Sequence, residues 1–270
     1  MRIALINSGL GLLVPAAALH EQRPDADLVL APDPDGMPWG PRTPDDIAAR
    51  SLLCARAALR YQPDMMVVAC NSGSVHALEA LRAEFEPGIP VIGTVPAIKP
   101  AAAAHHTIAI WATVATTGSA YQRRLIAEFG GSAEVTEVAC PGLADAVDAG
   151  DEAATAAAVA AAVAKTPAAC EAVVLGCTEY ELVGQQIRQA LPGVVTFGSA
   201  GAVAAQALRR IPGGVDPTPV GAASGSVRVL LSGRPAGLPA AALLYPEGRL
   251  LAPLVTSGVS EPVAEAVAAD

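Results

Sequence analysis

The sequence predicts an α/β protein of two similar domains, each a mainly parallel sheet flanked by helices, with the active site in the cleft between them. Three observations carry this expectation. Short apolar, β-branched runs alternate with helical patterns along the 270 residues. The strand runs are apolar without interruption, as strands covered on both faces are. A pattern of strand, cysteine, small polar residue and helix occurs twice, as VVACNSGS at 67–74 and VVLGCTEY at 173–180.

In chain order, a first strand at 2–6 runs through the glycine turn of NSGLG into a helix at 11–20. A signal peptide would need an unbroken apolar run. Here Asn7, Ser8 and Gly9 interrupt it, and only Arg2 supplies positive charge ahead of it. Further strands are expected at 27–31, 65–69, 91–93, 107–111, 134–139, 172–176 and 194–197. Helices are expected at 44–60, 74–86, 117–129, 152–165, 180–191 and 199–210. The Ala-rich stretch 153–164 is too short to cross a membrane, and no apolar run approaches a span. Residues 1–94 with 200–245 are assigned to one domain and 95–199 to the other. Residues 246–270 are read as a loosely held tail, and the Pro-rich 91–100 as a hinge.

Composition narrows the chemistry. Apolar residues make up 52% of the chain and charged ones 16%, which fits a compact globular protein, while aromatics supply only 3%. A net charge of −9 and the lack of a basic cluster exclude a nucleic-acid partner. Five cysteines, an odd number without CxxC spacing, fit reduced thiols in the cytoplasm. The histidines do not cluster: His76 falls on a helix, and His105 and His106 precede a strand. No metal-ligand spacing and no dinucleotide-binding glycine pattern is present, so neither a metal nor another cofactor is expected.

In parallel sheets ligands gather beyond the carboxyl ends of the strands, which directs attention to Cys70 and Cys177. Each precedes a helix start, where unpaired amides and the helix dipole favour a thiolate and offer a carboxylate cradle. Asn71, Ser72 and Thr178 add polar side chains to that cradle. Two thiols on opposite faces of one bound acid suit a two-base proton exchange, one removing a carbon-bound proton and the other delivering one. A buried cysteine is more commonly a small hydrophobe. That reading is applied to Cys54, Cys140 and Cys170, whereas shared placement sets Cys70 and Cys177 apart.

The motifs CNSGS, IPVIGTVPAIKPA and VVLGCTEYELV, with PWGPRTPDDI and ATVATTGSAYQR in order across residues 2–245, resemble glutamate racemases of the aspartate/glutamate racemase superfamily. The resemblance implies a cofactor-independent racemase that supplies D-glutamate for peptidoglycan, with a small acidic amino acid as ligand and a homodimer as the expected assembly. It implies that Cys70 and Cys177 exchange the α-proton and that Asn71, Ser72 and Thr178 contact the α-carboxylate. Trp39 and Gly40 match a segment at the distal carboxylate, Thr113 and Thr116 line the pocket, and Ser8 lies near the amino group.

Three departures matter. Asn7 stands where the family carries an aspartate that assists the first cysteine, and Glu179 replaces a histidine beside the second. Glutamate at that place resembles aspartate racemases and broad-specificity relatives. Trp39 replaces a tyrosine, so its ring either fills the distal end of the pocket or packs into the domain wall. A decarboxylase or isomerase of a dicarboxylate, and a binding protein without turnover, are the alternative readings these changes motivate.

Overall fold

The computed structural model describes residues 1–211 and 225–256. Strands β1 (Arg2–Asn7), β2 (Asp27–Pro32), β3 (Met65–Val68) and β4 (Val91–Gly93) begin the first sheet. Strands β5 (Thr107–Ala112), β6 (Glu134–Ala139), β7 (Ala172–Leu175) and β8 (Val195–Phe197) form the second. The chain then returns to the first sheet with β9 (Val227–Leu231) and β10 (Arg234–Ala236). Every pairing is parallel except β9 with β10. The inner strands are buried along nearly their whole length, which is why they read as unbroken apolar runs. At the edge of the second sheet, β6 is only partly buried.

The two sheets share one topology. The first runs β10-β9-β2-β1-β3-β4 and the second β6-β5-β7-β8, so the second repeats the order of the first four strands. In each sheet the first strand of the unit sits between the second and the third. Ile6 pairs with Val68 in one and Trp111 with Leu175 in the other. The crossovers leaving these neighbours diverge, which opens a crevice at their carboxyl ends. Cys70 follows β3 and Cys177 follows β7, so the repeated sequence pattern falls at equivalent crevices.

The helices after the cysteines start earlier than expected and are broken. The expected helix 74–86 is Asn71–His76 followed by Leu78–Phe85, and the expected 180–191 is Thr178–Leu182 followed by Gly184–Ala190. Cys70 and Cys177 are therefore the N-cap residues themselves, both in extended conformation. The helices Ile98–Ala104 and Leu143–Ala149 and the strands β9 and β10 were not anticipated. The expected hinge 91–100 contains β4 and the first turn of the former.

The C-terminal reading needs correction. Helix Pro246–Leu251 packs on helix Leu13–Gln22, and Leu251 is fully buried. The Tyr245 hydroxyl donates to the Val147 carbonyl at 2.5 Å, and Val255 bridges to Val227. Apolar side chains at these positions find a ready surface, so residues 246–256 are packed structure, and 257–270 lie outside the described residues. One apolar cluster, including Leu5, Val67, Leu12, Tyr180, Trp111 and Val173, runs from the first sheet to the second. It holds the carboxyl ends of both against a common cleft. No helix among the described residues is long and apolar enough to cross a membrane.

Candidate active site

A cavity of about 370 Å³ lies in this cleft, with Cys70 and Cys177 both in its wall. From the first sheet come Ser8, just after β1, and the Pro38–Pro41 loop after β2. Asn71 and Ser72 open the helix after β3. From the second come Thr113–Thr116 after β5, Cys140–Gly142 after β6, and Gly176 and Glu179 after β7. The segments after the carboxyl ends of β1, β2, β3, β5, β6 and β7 thus supply the wall. Of the residues singled out in the sequence, Ser8, Trp39, Gly40, Cys70, Asn71, Ser72, Thr113, Thr116, Cys177 and Glu179 line the cavity. Asn7 and Thr178 stand behind the wall rather than in it.

Asn7 acts as a joint. It is fully buried, and its Oδ1 accepts the Ser8 amide at 2.6 Å and the Ser8 hydroxyl at 3.2 Å. Its Nδ2 donates across the cleft to Thr178 Oγ1 at 3.3 Å. The Thr178 hydroxyl in turn donates to Glu179 Oε2 at 3.3 Å. Both side chains are committed to holding the two halves together, so neither is free for a ligand in this geometry.

The electrostatics of the thiols run against the sequence-based expectation of stabilised thiolates. Burial and then the charge of Glu179 push the Cys70 thiol up to about 11, despite opposing help from the Gly73 amide and Ser8. Cys177 is raised well above the usual thiol range too, by burial and then by Glu179, which accepts the Cys177 S–H at 2.8 Å. The helix-start amides oppose this shift without overcoming desolvation. Both groups are thiols at neutral pH. Cys140 lies in the wall as well, but burial raises it to about 12 and its Sγ points back to the Val138 carbonyl at 3.5 Å.

Trp39 is a wall residue whose ring is withdrawn from the cavity. It is 1% exposed, its Nε1 donates to Asp33 Oδ2 at 3.0 Å, and its ring packs close to Gly73. Asp33 also accepts from Arg50 and from Ser232 Oγ at 2.8 Å. Burial disfavours its charge, but these donors outweigh burial and keep the carboxylate below its usual range. The same anchor holds the loop that carries Gly40 to the cavity opposite Thr113 and Ala115. The Thr113 and Thr116 hydroxyls bond each other at 3.1 Å.

Asp148 was missed. It projects from helix Leu143–Ala149 into the cavity wall and accepts the Leu10 amide at 2.7 Å. Burial, followed by the charge of Glu179, raises its carboxyl well above the ordinary range. It places a second acidic group on the side where Asn7 lacks one. The signal was available, since 140–148 directly follows a strand and so satisfies the same carboxyl-end rule that singled out the cysteines. Among the described residues no group of His, Cys, Asp and Glu is arranged to hold a metal ion.

The sequence profile of the Asp/Glu/hydantoin racemase family matches residues 13–207. Glutamate racemase of Pseudomonas putida is 32% identical over 241 residues, covering 87% of this chain and 90% of that protein. The enzyme of Herpetosiphon aurantiacus is 33% identical, covering 87% and 93%. Among solved structures, Escherichia coli glutamate racemase in complex with L-glutamate and the activator UDP-MurNAc-Ala superposes with a TM-score of 0.76 at 25% identity, covering 90% of this chain and 91% of that one. Glutamate racemase of Aquifex pyrophilus gives 0.66 at 28% identity, covering 90% and 93%.

Proposed function

The chain belongs to the Asp/Glu/hydantoin racemase family, and we propose that it interconverts the enantiomers of glutamate without a cofactor, Cys70 and Cys177 exchanging the α-proton. The observation that carries this reading is the pairing of two N-cap thiols, placed at equivalent crevices of two like-ordered sheets and opening on one cavity. The names borne by its relatives supply the substrate.

The arrangement accounts for the chemistry as follows. The helix-start amides of Asn71 and Ser72 have no intrahelical partners and offer a cradle for the α-carboxylate. The Asn71 side chain donates to the Gly176 carbonyl at 2.5 Å, so that donor is already committed and the carboxylate falls to the main chain. The substrate ammonium enters among Glu179 and Asp148, offsetting the negative charge that disfavours the thiolates. One thiol loses its proton and attacks the α-hydrogen. The opposite thiol protonates the resulting planar carbanion on its other face, and repetition in reverse returns the first enantiomer. Glu179, bonded to Cys177, is placed to take the proton of that thiol, and Ser8 to steady the Cys70 thiolate.

Five free cysteines among the described residues fit a reducing cytoplasm, where we place the activity. A homodimer remains part of the reading, and light scattering of the purified chain measures it. The central test is α-proton exchange in deuterated buffer with D- and L-glutamate. The wild type incorporates deuterium from both enantiomers, whereas Cys70→Ala and Cys177→Ala each lose racemisation by about a thousandfold or more. Full turnover in either single variant would remove the two-thiol mechanism. Binding of glutamate without any exchange in the wild type would replace it with a binding function.

A further inference from the structure

Asp145 lines the cavity from the first turn of helix Leu143–Ala149, one turn before Asp148. It is exposed and makes no hydrogen bond or ion pair among the described residues. With Asp148 and Glu179 it brings three carboxylates to the wall, and no lysine, arginine or histidine among the described residues lines that wall. The Asp145 charge is felt inside the site, for after burial and Glu179 it is among the influences raising the Asp148 carboxyl.

An acidic residue in a first helical turn favours the positive end of that helix, which is the ordinary reason for its presence. Its position in the cavity wall adds a second effect. On the proposed reading, glutamate brings one ammonium, which Asp148 and Glu179 can meet, and two carboxylates. The α-carboxylate has the helix-start amides. The distal carboxylate meets no lysine, arginine or histidine among the described wall residues, and it carries its charge into a wall that also holds Asp145, which repels it. A distal amide of the same shape suffers no such repulsion.

Resting on the glutamate reading, we infer that Asp145 is a specificity-determining residue, which holds down affinity for a distal carboxylate and leaves the site open to amino acids with an uncharged distal amide. The probes are D-glutamate and D-glutamine, with dissociation constants measured by calorimetry on the wild type and Asp145→Asn. The variant should bind glutamate about two- to fivefold more tightly, with glutamine binding unchanged. The gain should shrink in about 0.5 M salt, where exposed charges are screened. Thermal melting of the same proteins reads the helix-end role separately.

Equal changes for the two ligands, no change for glutamate, or a gain indifferent to salt would each overturn the inference. Failure of D-glutamine to bind the wild type would overturn it as well. Loss of α-proton exchange in the wild type would instead sink the racemase reading, and the binding ratio would still report on Asp145.

Discussion

Glu179 is the side chain on which both halves of the site converge. It accepts the Cys177 thiol at 2.8 Å and the Gly11 amide at 3.3 Å, and its charge is the second influence, after burial, holding up Cys70. Replacing it with Gln removes the charge and keeps the shape, although one of its two accepting oxygens becomes an N–H donor. The sign follows directly: a negative neighbour disfavours a thiolate, so its removal lowers the Cys70 pKa from about 11. Alkylation of Cys70 by iodoacetamide in Glu179→Gln should therefore accelerate at alkaline pH below that value, with its midpoint moved down. An unmoved alkylation profile would show that burial alone sets this thiol. Exchange of the α-proton with solvent in the same variant should fall, and unequally for the two enantiomers, because the helper of one thiol has been removed. The sequence identified Glu179 as unusual, but whether it would repel or assist depended on the 2.8 Å contact.

At the scale of elements, the site depends on how closely the helix after β3 approaches the Pro38–Pro41 loop. A Cβ on Gly73 would lie 2.9 Å from Val68 Cγ1 and 3.0 Å from the Trp39 ring. Gly73→Ala gains some helix propensity but overpacks this contact, for a net loss of about 1 kcal/mol or more, read from urea unfolding. The Asp33 anchor is a stronger case. Asp33 is fully buried and bonded by Arg50, Trp39 and Ser232. Asp33→Ala leaves these donors unpaired and should cost about 2–3 kcal/mol, the partial exposure of Arg50 moderating the loss. Because its folded pKa is depressed, the stability it contributes is present above the unfolded value of about 3.9 and is lost as pH falls through the folded pKa. Acid titrations of wild type and variant should converge there, and a constant difference down to low pH would contradict the assignment.

At the scale of the whole molecule, the two units are tied through polar contacts that are also part of the site. Leu10 donates to Asp148, Gly11 to Glu179, Asn7 to Thr178 and Asn71 to Gly176. Asp148 shows the conflict this creates. Its carboxyl is raised in the folded protein, so between the unfolded value of about 3.9 and the raised one the native state binds more protons than the unfolded state. Folding is therefore penalised as pH rises through that window. Asp148→Asn can keep accepting the Leu10 amide without the charge. Its melting temperature should exceed the wild type's at neutral pH, converge with it in acid, and accompany a loss of racemase activity. A variant less stable at neutral pH would show that the carboxylate is held in place by more than the Leu10 contact.

The sequence by itself determined the parallel α/β class, because strands buried on both faces must be apolar along their length. It also determined the paired thiols, because the same strand-to-helix turn is written twice. It marked Ser8, Gly40, Thr113 and Thr116 through their places after strands and their resemblance to a family. Tertiary structure alone decided which way side chains point and what surrounds them. It turned Trp39 into a buried anchor, spent the Asn7 and Thr178 side chains on joining the halves, brought Asp148 and Asp145 to the cavity and packed residues 246–256. The reason is physical. Strand and helix patterns are local and follow from periodic burial, whereas charge, desolvation and hydrogen-bond commitment depend on neighbours more than a hundred residues apart, such as Asn71 and Gly176. Thiols that local helix amides would have ionised are instead kept protonated by the burial and acidic company that only the closed cleft provides.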